Sequence, residues 1–258
     1  MTHEFDGEKY QLASAHQLEW GQQLVAELAL NGNERVLDLG CGDGSLTAYL
    51  AELLPNGEVL GIDASQGMLE TALTQSKPNL SFCLMDIDNL DFGEPFDLIF
   101  SNAALHWVKD HPKLLNNSYD LLTEQGKIRF NFAGDGNCSN FYAVVREVMQ
   151  FESFRESFTR FEWPWYMPSV RDYQALAESS GFRSIQVWGE NADRYFANSR
   201  AMIQWLDQPS LVPFLAVLPK QKQAEFRHLV IEKMINKTIQ EDGRCFETFR
   251  RINLQAQK

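Results

Sequence analysis

The chain has 258 residues, 44% hydrophobic and 22% charged, a globular composition that excludes a disordered chain. Its 23 Lys and Arg against 35 Asp and Glu leave a formal net charge of −12, which repels phosphate backbones and anionic headgroups. No basic run offsets that field, so nucleic acid is not an expected partner. The polar first twenty residues, the lack of a long apolar run and four dispersed cysteines without a C-x-x-C pair point to a cytoplasmic protein. No metal site, membrane span or disulfide framework is expected.

The predicted elements alternate in the first half. Residues of about 9–30 carry helical spacing, with Leu12, Leu18, Leu24, Val25 and Leu28 on one stripe. Arg35–Leu39 is an apolar run stopped by glycines and reads as a strand. Residues 45–54 make a helix ended by the Pro55-Asn56-Gly57 turn. Glu58–Ile62, Leu80–Leu84, Phe96–Ser101 and Lys127–Phe132 read as further strands, with helices at Ser65–Thr74 and about 111–122. This rhythm is that of βαβ units and predicts an α/β fold with a doubly wound, mostly parallel sheet.

After Phe132 the rhythm breaks. Residues 140–158 look helical, a helix starts near Ser169 with Gly181 as its C-terminal cap, and Ile185–Trp188 reads as a sixth strand. Residues 199–240 read as two or three helices broken by Pro209, Pro213 and Pro219. About Phe246–Ala256 reads as a last, antiparallel strand, bringing the sheet to seven. Two insertions, about 133–168 and 197–243, are expected to form a helical cap on a single domain of residues 1–258.

The sharpest motif is Val36-Leu37-Asp38-Leu39-Gly40-Cys41-Gly42-Asp43-Gly44. A strand ends in an acid, then a G-x-G-x-G turn enters a helix, where glycines allow a sharp turn and close approach to bare backbone. The spacing is shorter than the G-x-G-x-x-G of dinucleotide sites, and Asp38 and Asp43 repel a pyrophosphate while favouring a cation. S-adenosylmethionine carries an ammonium, a sulfonium and no phosphate. Asp63, in Gly61-Ile62-Asp63-Ala64-Ser65, lies roughly 20 residues beyond the loop, where an acid grips a ribose in such folds. Capping of the next helix is the competing role for it. Asp86 ends the third strand, where it can accept from an adenine amino group, with Ile87 placed to pack on the ring. Three acids at three successive strand ends mark the carboxyl edge as a binding edge.

The segments E-R-V-L-D-L-G-C-G-D-G-S-L-T, G-I-D-A-S-Q-G-M-L and F-D-L-I-F-S-N-A-A-L-H-W-V resemble, in order, three motifs of class I S-adenosylmethionine-dependent methyltransferases. The resemblance covers about residues 30–132 and implies a Rossmann-like methyltransferase fold with a cofactor-binding core at about 31–132. It implies that Gly40, Cys41 and Gly42 line the methionine moiety, that Asp63, with Ala64 beside it, holds the ribose, and that Met68 and Ile87 flank adenine. Asp86 would contact the adenine amino group, and Asn102 and Ala103 the methionine end. A narrower similarity, through Phe5–Tyr10, S-N-A-A-L-H-W-V and Tyr173…Gly181-Phe182…Val187-Trp188, is to the trans-aconitate methyltransferase-like branch. There an N-terminal helix closes over the cofactor, which would bring Tyr10 and Gln17 to it. Phe5, Gln17 and His106 depart from the branch's usual Trp, Arg and Gln.

On the acceptor side, His106 follows the fourth strand and is the candidate base or hydrogen-bond donor, with local packing as its alternative. Trp107, Trp165 and Tyr166, with Trp163, are candidate pocket walls or core residues. Arg155, Arg160, Arg194, Arg200 and Arg244 are candidates for forked carboxylate binding. The expected activity is methylation of a small molecule, best a carboxylate. A base-dependent O- or N-methyltransferase, a non-catalytic S-adenosylmethionine-binding protein and an NAD-dependent oxidoreductase are the alternatives; the short glycine spacing and Asp38 count against the last.

Overall fold

The computed structural model describes residues 15–258. In chain order the elements are α1 (Ala15–Ala26), β1 (Arg35–Leu39), α2 (Ser45–Leu53), β2 (Glu58–Asp63), α3 (Gln66–Ala72), β3 (Leu80–Leu84), β4 (Phe96–Asn102), α4 (His111–Asp120) and β5 (Leu122–Ala133). There follow α5 (Ser139–Met149), α6 (Val170–Glu178), β6 (Arg183–Asn191), β7 (Arg194–Phe196), α7 (Ser199–Trp205), α8 (Val212–Val217), α9 (Lys220–Thr238), β8 (Cys245–Glu247) and β9 (Arg250–Gln257). Side chains set many of the boundaries. Ser65, Asp110, Ser169 and Asn198 each accept an N–H from the first turn of the helix that follows. Glu34 accepts the amides of Asn31, Gly32 and Asn33, closing the turn before β1, while α1 itself ends at Ala26, earlier than its apolar spacing predicts.

Seven strands form one sheet in the order β3-β2-β1-β4-β5-β9-β6. β1 pairs with β2 and β4 in parallel, as do β2 with β3 and β4 with β5, whereas β9 is antiparallel to β5. This is the doubly wound, mostly parallel sheet expected, with the chain's last strand inserted antiparallel between β5 and β6. Val36, Val59, Leu98 and Phe100 form one core with Leu24 and Val25 of α1 and Leu50 of α2. Leu37, Ile99, Ile128, Phe130 and Phe132 form the other, with Leu114 of α4 and Tyr173 of α6. All of these side chains are buried.

Further details differ from expectation: the last strand, β9, starts only at Arg250, and Phe246 lies instead on β8, paired with Tyr195 of β7. Gly181 is absent from the residues of positive φ, and α6 ends through Ser179 in a right-handed conformation. Gly181 instead packs beside the Tyr119 ring, whose nearest atom lies 3.1 Å from where a Cβ on Gly181 would be. The region 140–158 is not one helix: α5 stops at Met149, and Arg155–Phe158 forms a separate 3-10 turn.

The chain divides into two compact units. The first holds the described residues up to Asp135, with Trp165–Glu190 and Arg251–Lys258, and carries the seven-stranded sheet. The second, Gly136–Pro164 with Asn191–Arg250, packs Phe141, Phe154, Phe158, Phe214 and Phe226 around α5 and α9, beside a two-stranded β7-β8 sheet. There the fully buried Glu247 accepts the amides of Asn140 and Phe141, so its carboxylate caps α5. Among the described residues no helix is long and apolar enough to cross a membrane.

Candidate active site

The glycine turn between β1 and α2 is built on β2. The amides of Gly40 and Cys41 both donate to the Ile62 carbonyl, at 2.8 and 2.9 Å. Asp63 then bridges two turns: Oδ2 accepts from the Gly42 amide and Oδ1 from that of Ser65, both at 2.9 Å. Ser65, not Asp63, supplies the cap of α3 through its hydroxyl, which accepts from Met68 N. Asp63 therefore orients the glycine loop itself. The loop glycines serve different ends. A Cβ on Gly40 (φ +73°) would collide with that of Ala104, whereas one on Gly42 (φ +56°) would meet nothing within 4 Å among the described residues. Gly40 is required by internal packing; at Gly42 the described residues leave room beside the backbone.

Asp38 is 2% exposed, and its Oδ2 accepts from Thr47 Oγ1 at 2.7 Å. Burial raises its pKa to about 7, and the charge of Asp63 pushes the same way. The site is thus poised to take up a positive charge. Burial also pushes the Cys41 thiol well above its ordinary range, so it is no nucleophile. Asp86 caps the short Ile87–Asn89 turn through Oδ1, and Ile87 reaches within 3.9 Å of the Gly40 Cβ position. Met68 is buried on α3, and Ala64 is half-buried in the turn before it. Gln17 falls on α1, and Tyr10 lies outside the described residues.

At the end of β4, Asn102 stands opposite Asn131 of β5 and faces α1 at Gly21. Ala103 takes φ +60°, an uncommon and costly conformation for a residue with a Cβ, and donates its amide to the Asn131 carbonyl at 2.7 Å. The chain then enters the Leu105–Trp107 turn that carries His106. The His106 carbonyl accepts from Tyr166 N at 2.8 Å. The Trp107 ring lies 5.7 Å from His106 and 5.3 Å from Trp165, so these predicted residues do converge. The His106 Nδ1 is buried without a hydrogen-bond partner among the described residues. Burial, helped by the nearby charge of Arg251, drives its pKa down to about 3. Trp163, by contrast, belongs to the second unit, packed on Tyr142, Phe161 and Phe214 beneath Arg146.

Two features escaped sequence reasoning. The first is a lock beneath the His106 turn. His111 is fully buried, its Nε2 3.0 Å from the Leu105 carbonyl and its Nδ1 2.9 Å from the Tyr173 hydroxyl. A carbonyl only accepts, so Nε2 donates and Nδ1 receives the Tyr173 proton; a pKa lowered to about 4 keeps the ring neutral. The second is a buried polar ladder on one face of β5 and β9. Arg129 and Asn131 Nδ2 both donate to Asn253 Oδ1, at 2.9 and 2.8 Å, and Arg251 Nε donates to Asn131 Oδ1 at 2.8 Å. Arg129 also pairs with Glu27 at 2.9 Å and lies over the Trp188 ring. Alternation of Ile252 and Leu254 identified β9, but only the fold shows that Arg251 and Asn253 are buried as well. Of the arginines singled out in the sequence, Arg155, Arg160, Arg200 and Arg244 are exposed and Arg194 is half-buried over Phe196. Among the described residues no group of three or more His, Cys, Asp or Glu could hold a metal ion.

Comparison with known proteins agrees with this geometry. A family described as a methyltransferase domain matches residues 30–198. A trans-aconitate 2-methyltransferase of Deinococcus radiodurans is 33% identical over 197 residues, 74% of this chain and 75% of that protein. One from Escherichia fergusonii is 28% identical over 239 residues, covering 92% and 91%. Among solved structures, phosphoethanolamine N-methyltransferase 2 of Haemonchus contortus with S-adenosyl-L-methionine superposes with a TM-score of 0.61 at 20% identity. It covers 98% of this chain, which spans 56% of that one. The YcgJ protein of Bacillus subtilis gives a TM-score of 0.62 at 18% identity, covering 94% and 98%; both show the fold. The chain belongs to the methyltransferase domain family. Within it, the chain is a class I S-adenosylmethionine-dependent methyltransferase of the trans-aconitate methyltransferase-like branch.

Proposed function

We propose that the enzyme O-methylates a carboxylate of a small acid. The observation that carries this reading is the likeness, over 92% of the chain, to a trans-aconitate 2-methyltransferase. S-adenosylmethionine, when bound, supplies a methyl on a cationic sulfur, which a carboxylate oxygen displaces as the C–S electron pair passes to sulfur, giving an ester and a thioether. In this reading residues 1–258 act as one methyltransferase domain. The carboxyl edge of β1, β2, β3 and β4 suits a cation without phosphate: Gly42 offers bare backbone, and Asp38, Asp63 and Asp86 offer acids. Asp63 would take the ribose, Met68, Asp86 and Ile87 the adenine, and Gly40, Cys41, Asn102 and Ala103 the methionine end, with Asp38 and Ala64 behind them and Tyr10 and Gln17 on the N-terminal side. His106, Trp107, Trp165 and Tyr166 would line the acceptor side.

A carboxylate is ionised at neutral pH and gives up no proton, so orientation and exclusion of water suffice. His106 favours the same reading. A general base works best with a pKa near the working pH, and burial leaves this imidazole far below it, at about 3. Transfer of labelled methyl to a panel of carboxylic acids, phenols and amines tests the reading. Label in acids alone is expected; label in phenols or amines with none in acids would overturn it.

A further inference from the structure

The turn that follows β4 is strained, and it is held at successive residues. Ala103 takes φ +60°, and so costly a backbone conformation persists only where its surroundings over-determine it. The Ala103 amide donates to the Asn131 carbonyl at 2.7 Å, and the His106 carbonyl accepts from Tyr166 N at 2.8 Å. Between them, the Leu105 carbonyl accepts from His111 Nε2 at 3.0 Å. That imidazole stands at the start of α4 and is fixed on its other nitrogen, where the Tyr173 hydroxyl of α6 donates to Nδ1 at 2.9 Å. Both side chains are fully buried, and the His111 ring packs on those of Tyr166 and Phe132, with centroids 4.6 and 5.2 Å away. Because Nδ1 receives the Tyr173 proton, the ring keeps its own hydrogen on Nε2, where the Leu105 carbonyl needs it. The turn held in this way is in direct contact with the glycine loop. A Cβ on Gly40 would come within 2.3 Å of the Ala104 Cβ. A turn that slackened at Leu105 would let Ala103 and Ala104 draw away from Gly40 together.

We propose that His111 and Tyr173 are positioning residues for S-adenosylmethionine: they hold the turn after β4 against the glycine loop, so that the site for the methionine end is formed before the cofactor arrives. This rests on the reading above that Gly40 and Ala103 meet the methionine end, and adds the side chains that fix them. A site already in its bound geometry costs less to order when the ligand enters, so the lock acts on affinity from outside the site.

The test compares H111Q with H111N in the full chain. A glutamine amide nitrogen takes the place of Nε2 and still donates to the Leu105 carbonyl, but the acceptor for Tyr173 is lost. An asparagine oxygen takes the place of Nδ1 and still accepts from Tyr173, but nothing reaches Leu105. Each variant breaks one bond of the pair, so urea melts should show both less stable than wild type. Calorimetry with S-adenosylhomocysteine separates them: H111N should bind about tenfold or more weakly, and H111Q within about threefold of wild type. 5′-Methylthioadenosine, which lacks the amino-acid end, should bind H111N and wild type alike. Should H111N fail to fold, Y173F, which strips Nδ1 of its donor and frees the ring to take the other tautomer, should weaken S-adenosylhomocysteine by about threefold or more. Unchanged affinity in the folded variant overturns the proposal. So do equal losses in H111Q and H111N, because affinity would then follow stability alone, and equal losses for the two ligands, because the effect would then lie away from the methionine end. No methyl acceptor enters these titrations. Acids that take no methyl would sink the proposed function and leave this inference standing, and unchanged affinity in H111N would do the reverse.

Discussion

Replacing Asp38 with Asn asks whether the acid of the glycine motif is held as the structure implies. Below pH about 4 the side chain is protonated in both folded and unfolded chains. As pH rises the unfolded chain ionises near 3.8, while the folded one keeps its proton until about 7. The unfolded state therefore releases its proton first, so stability from this group is lost between these values and is level above them. At about 1.4 kcal/mol per pKa unit, the wild type loses roughly 2.5 kcal/mol from this carboxyl between pH 5 and pH 8. Asn still accepts from the Thr47 hydroxyl and cannot ionise. Its amide introduces a donor whose cost does not vary with pH and cancels when two pH values are compared. Urea unfolding of both proteins at pH 5 and pH 8 should show D38N gaining roughly 2–3 kcal/mol on the wild type at the higher pH. An unchanged difference between the two would refute a buried, half-protonated Asp38. The same carboxyl should ionise when a cation arrives: near pH 7, S-adenosylmethionine binding should release about half a proton, read from binding heats in buffers of different ionisation enthalpy.

Removing the Asp63 carboxylate by D63A should weaken S-adenosylmethionine binding by about 1.5–3 kcal/mol by calorimetry, with the fold retained; unchanged affinity would make Asp63 a turn residue only. The two glycines should part company: G40A, which drives a Cβ into Ala104, should lower stability by more than about 2 kcal/mol, whereas G42A should cost about 1 kcal/mol in stability and act mainly on cofactor affinity. Y173F leaves the buried His111 Nδ1 without its donor and should cost about 1–3 kcal/mol in urea melts; a neutral effect would remove the lock from the account. H106A should slow transfer to an acid by less than the 10²–10⁴-fold typical of losing a general acid or base, and a larger loss of kcat would restore a proton-transfer role.

The sheet was legible because its determinants are local. Apolar runs stopped by glycine or proline name the strands, and Ser65 and Ser169 name their helices through hydroxyl caps. Asp38, Gly42 and Asp63 were legible because a tight βα turn and a strand-end acid are chemistry written in consecutive residues. The ladder on β5 and β9 was not, since Asn131 and Arg251 are brought together by an antiparallel pairing of distant segments. Alternation shows that Arg251 faces away from Ile252 but cannot say that the opposite face is buried too. Gly181 misled for a related reason: its requirement is the Tyr119 ring, a tertiary neighbour, and not a helix-ending φ. His111 reads as a polar residue opening a helix, and only the fold puts Tyr173 on its far nitrogen.

The account's central claim is the bond that is made: methyl to carboxylate oxygen. Product from labelled S-adenosylmethionine and the best acid of the panel, treated with mild hydroxide, should release its label as methanol, as a carboxylic ester does. Label that survives hydroxide, as in an aryl ether, a methylated amine or a carbon-methylated product, would contradict it.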